Sequence, residues 1–187
     1  MKTSIRKEAA QRRNAIPVPV RREKEKQILE YIKQLPLGDH VFLYKNMRSE
    51  VSTREILHWL IEQGATTYIP RTDLSDYSME PHAYVPGDPL ETKTFGLSEP
   101  INEPLHDLDQ LTSILVPLLA FDRDFHRVGY GGGFYDRFLP RAPKALRVGI
   151  AFSEQEFDRL LQVDTDVVLD YIVTDKGVLT KKQDPRD

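Results

Sequence analysis

Short, uninterrupted apolar runs alternate with helix-length segments along this chain, and that alternation restricts its fold more than any other feature. Val41-Phe-Leu-Tyr44, Thr66-Thr-Tyr-Ile-Pro70, Ser113-Ile-Leu-Val-Pro117, Leu146-Arg-Val-Gly-Ile-Ala-Phe152 and Val167-Val-Leu-Asp-Tyr-Ile-Val173 read as strands. Runs without a polar face need cover on both sides of a sheet. Residues 20–35 read as a helix with Ile28, Ile32 and Leu35 on one stripe. Ser52-Thr-Arg-Glu55 has the form of a capping box, followed by a helix burying Ile56, Leu57, Leu60 and Ile61 and stopped by Gly64. This order predicts an α/β fold: a single-domain, three-layer αβα arrangement with a mostly parallel, Rossmann-like sheet.

The remaining segments are weaker signals. Residues 2–15 read as a basic helix broken by Pro17 and Pro19. Residues 71–110, rich in proline and polar residues, read as long loops with one strand candidate from Met79 to Val85. Ser153 is placed to cap a short helix reaching Leu161, and residues 176–187 read as a tail. At 187 residues and 40% apolar content, residues 1–187 suffice for one domain with a real core.

Composition excludes several function classes. There is no cysteine, so disulfides, thiolate metal sites and cysteine nucleophiles are absent. The net charge of −3 gives no reason to expect nucleic acid or membrane as a partner. No apolar run is long enough to span a bilayer, and the N-terminal residues lack the apolar stretch of a secretory signal. The expected location is the cytoplasm, and the expected working form is a monomer. The five histidines show no metal-ligand spacing, and there is no Gly-x-Ser-x-Gly elbow.

The segment with the clearest chemistry is Arg127-Val-Gly-Tyr-Gly-Gly-Gly-Phe-Tyr-Asp136. Its glycines permit positive φ and close approach of a ligand to backbone amides. The helix read from Phe134 to Leu139 adds unpaired N–H groups at its start. Arg127 and Arg137 flank the loop, so an anion such as phosphate suits it. Neither Gly-x4-Gly-Lys-Ser/Thr nor Gly-x-Gly-x-x-Gly is present, because Phe134 occupies the last position of the latter. On the glycines alone, a phosphate cradle and a plain strand-to-helix turn stand level.

The wider string is more specific. Val116-Pro117, Ala120-Phe-Asp122 and Arg127 through Leu139 resemble the signature of the 5-formyltetrahydrofolate cyclo-ligase family. That signature runs approximately V-P-G-L-A-F-D-x-x-G-x-R-L-G-Y-G-G-G-Y-Y-D-R-Y-L. The resemblance continues, in order, through Lys2 and Arg6, Glu50-Val-Ser-Thr53, Ile69-Pro-Arg71, Met79, Gly96 to Pro100, Ala151 to Gln155 and Asp166 to Asp170. Leu118 and Phe125 stand where the family usually has glycine, and Leu161 and Thr165 replace its common Pro and His.

The resemblance implies conversion of 5-formyltetrahydrofolate and ATP to 5,10-methenyltetrahydrofolate, ADP and phosphate, with Mg²⁺. It places ATP on Lys2, Thr3, Ser4, Ile5 and Arg6 of the opening helix and on Arg127, Val128, Gly129, Tyr130, Gly131, Gly132, Gly133, Phe134 and Tyr135. It gives Lys2, Arg6, Arg127 and Tyr135 catalytic roles, and it places the folate on Lys45, Glu50, Tyr130, Phe134 and Tyr135. A carboxylate beside a triphosphate repels it unless a cation bridges the two, so the resemblance implies Asp136 as a Mg²⁺ ligand, the other reading being a helix N-terminal charge. Asp166 is the second ligand by family position, with Asp170 as the alternative. Two other readings remain: a folate- or nucleotide-binding regulator without catalysis, and an enzyme of this fold acting on a different formamide or carboxylate.

Overall fold

The computed structural model describes residues 2–93, 96–164 and 166–181. Its centre is a seven-stranded sheet built from β1 (His40–Phe42), β2 (Thr66–Asp73), β3 (Ser78–Ala83), β6 (Ser113–Pro117), β9 (Leu146–Ile150), β10 (Tyr171–Thr174) and β11 (Gly177–Thr180). Two small hairpins supply the other strands: β4 (Leu90–Thr92) with β5 (Ser98–Pro100), and β7 (Ala120–Phe121) with β8 (Arg127–Val128). The central order is β11-β10-β9-β6-β1-β2-β3. The inner pairings are parallel, and only the edge strands β3 and β11 run antiparallel to their neighbours. The expected mostly parallel α/β fold is therefore present.

Strand residues alternate between two cores. Ile114 and Val116 of β6 join Phe42, Phe121 and Phe138 on one face. Leu115 joins Val41, Leu43, Val148, Ile150 and Val173 on the other. Both faces of β6 are thus dry, which is why its sequence has no polar side. The second face is covered by α2 (Val18–Ile32) through Ile28 and Ile32, and by α3 (Arg54–Glu62) through Ile56 and Leu60. The first face is covered by α4 (Phe134–Phe138) and the 3-10 turn Leu139–Arg141. The opening helix α1 (Lys2–Asn14) buries Ala9 with Leu119, Ala120, Val128 and Leu160.

Several local expectations are corrected. The capping box does not form: Thr53 is the N-cap of α3, and its hydroxyl donates to Tyr44 O at 2.8 Å. Ser52 N donates instead to Glu25 Oε1 at 2.9 Å. A tertiary partner has taken the Ser52 N–H, while the Ser52 hydroxyl accepts from Arg54 N at 3.3 Å instead of from the Glu55 amide. Pro19 does not break a helix but sits in the first turn of α2, where its missing N–H has no partner to lose. In the segment read mostly as long loops, the strand candidate Met79 to Val85 forms as β3, while the end of β2 and the β4–β5 hairpin replace expected loop. Pro81 of β3 lies on an edge strand, where proline is tolerated. The helix expected from Ser153 is one 3-10 turn, Ser153–Gln155. The tail assignment fails at 177–180, because Ile172 pairs with Leu179 and Val173 with Val178 across β10 and β11. Residues 182–187 lie outside the described residues.

Two departures from the family pattern are absorbed by packing. Phe125 keeps a left-handed backbone, φ 66°, as a glycine would, while its ring is buried in the core. Leu118 is buried against Gly149, where a Cβ would meet its side chain at 3.0 Å. Leu161 is exposed, and Thr165 lies outside the described residues.

Candidate active site

After β1 the chain crosses through α3 to β2, and after β6 it crosses through α4 to β9 on the opposite side. The adjacent ends of β1 and β6 therefore form a topological switch point, where open α/β sheets bind ligands. A cleft of about 390 Å³ opens there. Tyr44, Lys45 and Glu50 reach it from the segment after β1, and Pro117 from the end of β6.

The glycine-rich loop forms another wall. The β7–β8 hairpin delivers Arg127 and Val128 to its start, and α4 begins at its end. Gly131 and Gly133 have φ of 106° and 71°, which side-chain-bearing residues rarely adopt. A Cβ on Gly132 would lie 2.8 Å from the Phe134 ring, so the absence of a side chain there is steric. Phe134 lines the cleft and packs on the core at once, with Tyr77 tilted against it at 5.7 Å. Arg137 is engaged behind the loop, donating to Gly132 O at 2.7 Å.

The α1 helix closes the cleft from the far end of the sequence. Arg6 Nε donates to Gly129 O at 2.8 Å, and Lys2 Nζ lies 2.6 Å from Asp166 Oδ2. Lys2 and Arg6 both line the cleft, whereas Thr3, Ser4 and Ile5 do not. Ile5 packs instead beside Ala9 and Val128 under the loop. A helix turns ~100° per residue, so i and i+4 share a face that the intervening residues cannot.

Four charged groups meet at the loop's end. Arg127, 7% exposed, donates to Asp136 Oδ1 at 2.8 Å. Burial pulls the Arg127 pKa down, and Asp136 pushes against that shift. Arg127 Nε is buried with no hydrogen-bond partner among the described residues. Asp136 and Asp166 share this wall, while Asp170 does not reach it and accepts from Arg147 N at 2.8 Å. A buried guanidinium N–H left unpaired carries a desolvation cost, and this one belongs to a residue that lines the cleft.

The Tyr130 and Tyr135 hydroxyls are tuned by local desolvation and by Glu50, although Tyr130 as a whole is 52% exposed. Desolvation, then the Glu50 carboxylate, raises the pKa of Tyr130 and Tyr135, so both stay protonated at neutral pH. Glu50 Oε2 accepts from Met47 N at 2.6 Å. The sequence reading missed Thr72, Met79 and Glu99, which complete the cleft from β2, β3 and β5. Glu99 is buried, accepts from Thr72 N at 3.0 Å and pairs with Lys93 at 2.8 Å. A buried acid in a proline-rich segment has no periodic signature; its placement in a long connection and the match of Gly96 to Pro100 to the family pattern were the signals, and neither assigned it to the site.

Away from the cleft, Asp122, Asp124 and His126 bring possible ligand atoms within 4.8 Å of one another, a grouping that histidine spacing alone did not show. Asp122 is already committed to its turn, accepting from the backbone of Asp124, His126 and Leu160. Among the described residues no helix is long and apolar enough to cross a membrane.

Comparison with known proteins identifies the family. The chain is 30% identical over 183 residues to a 5-formyltetrahydrofolate cyclo-ligase of Mycolicibacterium smegmatis, covering 94% of each chain. It is 31% identical over 135 residues to one of Haemophilus influenzae, covering 70% of this chain and 72% of the other. The solved structure of a 5,10-methenyltetrahydrofolate synthetase from Aquifex aeolicus superposes with a TM-score of 0.85 at 28% identity, covering 98% of this chain and 94% of that one. The model of the 5-formyltetrahydrofolate cyclo-ligase family matches residues 1–175, and the chain belongs to that family of enzymes.

Proposed function

We propose that the chain, acting as a monomer, converts 5-formyltetrahydrofolate to 5,10-methenyltetrahydrofolate with ATP and Mg²⁺, releasing ADP and phosphate. The observation that carries this reading is the convergence of Lys2, Arg6, the glycine-rich loop, Asp136 and Asp166 on a cleft that Glu50 also lines. Phosphate-binding and carboxylate groups from both ends of the sequence meet beside an acid suited to the N–H donors of a pterin.

The chemical obstacle is the formyl oxygen, a poor leaving group. Transfer of the γ-phosphoryl group from ATP to that oxygen makes ADP and an activated carbon. N10 attacks this carbon and loses its proton, and the carbon–oxygen bond breaks to release phosphate. The formyl oxygen leaves in the phosphate, and no protein nucleophile is required. The protein supplies position and charge.

Arg127, with an unused buried N–H, and Lys2 and Arg6 face the triphosphate and offset its developing charge. The loop amides from Val128 to Phe134 cradle its oxygens. Tyr135, held protonated, donates a hydrogen bond in the cleft rather than acting as a base. Glu50 accepts from the pterin, and Lys45, Tyr130 and Phe134 frame the folate. Asp136 and Asp166 are hard oxygen donors on one wall and fit Mg²⁺, which when bound would neutralise phosphoryl charge. Their present partners, Arg127 and Lys2, are the cations that the phosphates would recruit.

The test is direct. Protein, 5-formyltetrahydrofolate, ATP and Mg²⁺ are mixed, and near-ultraviolet absorbance of the methenyl product is followed. Product and ADP are expected in equal amounts. Binding of both ligands without product would identify a regulator, and binding of ATP alone would point to another substrate.

A further inference from the structure

Arg13 has no part in the roles described so far, yet it is among the most buried charged residues, 4% exposed. It lies on α1 seven residues beyond Arg6, two helical turns along the same stripe as Lys2, Arg6 and Ala9. Its Nε donates to Ser49 Oγ at 3.0 Å, and its Nη1 donates to the Tyr130 hydroxyl at 2.6 Å. The guanidinium also stands over the Tyr130 ring, 5.7 Å from its centroid. Ser49 in turn donates to Asn14 Oδ1, back on the same helix segment.

The two partners belong to different segments of the cleft wall: the turn after β1, and the glycine-rich loop whose backbone is proposed to cradle the nucleotide while the Tyr130 ring frames the folate. Ser49 immediately precedes Glu50, and Tyr130 lies between Gly129 and Gly131. Glu50 is close enough to Tyr130 to raise the pKa of its hydroxyl. At the other end of the helix, Arg6 holds the carbonyl of Gly129, the residue before Tyr130. A helix fixes the distance between Arg6 and Arg13 at about 10 Å, so the two contacts cannot adjust independently. Burying a guanidinium is costly unless its donors are used, and here they are used to join two loops to one rigid element.

We propose that Arg13 is a positioning residue through which the nucleotide and folate halves of the cleft order each other. Nucleotide on the glycine-rich loop seats α1 through Lys2 and Arg6, and Arg13 carries that seating to Tyr130 and the Glu50 segment. By linkage, the folate tightens the nucleotide by the same factor. Lysine cannot replace it, because one ammonium cannot hold the two-point fork. This inference rests on the cyclo-ligase reading above.

The test is calorimetric titration of 5-formyltetrahydrofolate into the full chain, with and without a non-hydrolysable ATP analogue and Mg²⁺. The parent is expected to bind the folate at least about fivefold tighter with the analogue present. In Arg13→Lys that ratio should fall below about twofold, while affinity for the analogue alone stays within about threefold. Tyr130→Phe breaks the same link from the other side with Arg13 left in place, and should lose the ratio equally. It carries the test if Arg13→Lys does not fold. The double variant should be no worse than either single one. A ratio near one in the parent, or the parental ratio surviving in either variant, overturns the proposal. A parent that binds no 5-formyltetrahydrofolate at all would overturn the cyclo-ligase reading instead.

Discussion

Lys2 Nζ and Asp166 Oδ2 stand 2.6 Å apart across 164 positions of sequence, and this pair pins the first turn of the chain to the wall of the cleft. The helix that carries Lys2 also carries Arg6, and both line the cleft where the triphosphate is proposed to bind. Lys2→Ala combined with Arg6→Ala should raise the KM for ATP by roughly tenfold or more and lower kcat, a loss of about 1.4 kcal/mol or more of binding. The partly exposed Lys2 pair contributes at most ~1 kcal/mol to folding, so ligand-free melting should shift little. The stabilisation that ATP gives in a thermal melt should shrink. Parental ATP affinity and turnover in the double variant would reduce the basic stripe to a solvated face.

Asp136 accepts from Arg127 at 2.8 Å, and Asp136→Asn removes both that pair and the charge proposed to hold Mg²⁺. Turnover is expected to drop about 100-fold, a typical cost of losing one preorganised electrostatic group. Folate affinity should stay within roughly threefold, since Glu50, the proposed pterin acceptor, lies elsewhere in the cleft. Normal turnover of the variant across a titration to low Mg²⁺ would remove Asp136 from the metal site.

Glu50→Gln should weaken folate binding by ~10- to 100-fold, the range of a charge-assisted hydrogen bond. Affinity for ATP alone should be unchanged. Equal weakening of both ligands in calorimetry would show that Glu50 serves to shape its own turn, where it accepts from Met47 N.

Gly132→Val introduces a Cβ that would sit 2.8 Å from the Phe134 ring. That ring packs on the core and faces the cleft, so displacing it deforms the cradle. ATP binding should fall below detection while far-ultraviolet circular dichroism keeps its parental shape. ATP affinity equal to that of the parent would show that the loop is only a turn.

Far from the cleft, Lys24 bridges Asp175 and Glu154 at 2.8 Å each and joins α2 to the residue after β10. Burial alone would raise the Asp175 pKa, but hydrogen bonds from Lys24 and Ser153 outweigh it and hold the carboxyl below its ordinary 3.8. A depressed carboxylate stabilises the fold above its unfolded pKa and loses that contribution as pH falls through the lower folded value. Asp175→Asn should therefore cost about 2 kcal/mol at neutral pH. It should also flatten the loss of stability below pH ~4 in urea titrations. An acid limb as steep in the variant as in the parent would contradict this.

Much of this protein was written in short stretches of its sequence. The apolar runs at 41–44, 113–117 and 146–152 became central strands because a run with no polar side has only one stable setting, between two covered faces. The glycine-rich loop and Asp136 were legible for the same reason: positive φ and a helix start are local demands met by local residue types. Tertiary structure decided what distance along the chain conceals. It brought Arg6 onto Gly129, Arg13 onto Tyr130, and Thr72, Met79 and Glu99 into the same cleft. It also overrode local grammar. Ser52 gave its N–H to Glu25 rather than to a capping box, and residues 177–180 paired with β10 rather than trailing away. Propensity and periodicity act over a few residues, each contributing a fraction of a kcal/mol. Burial and completed hydrogen bonds between distant segments contribute more, so where the two compete the tertiary partner prevails.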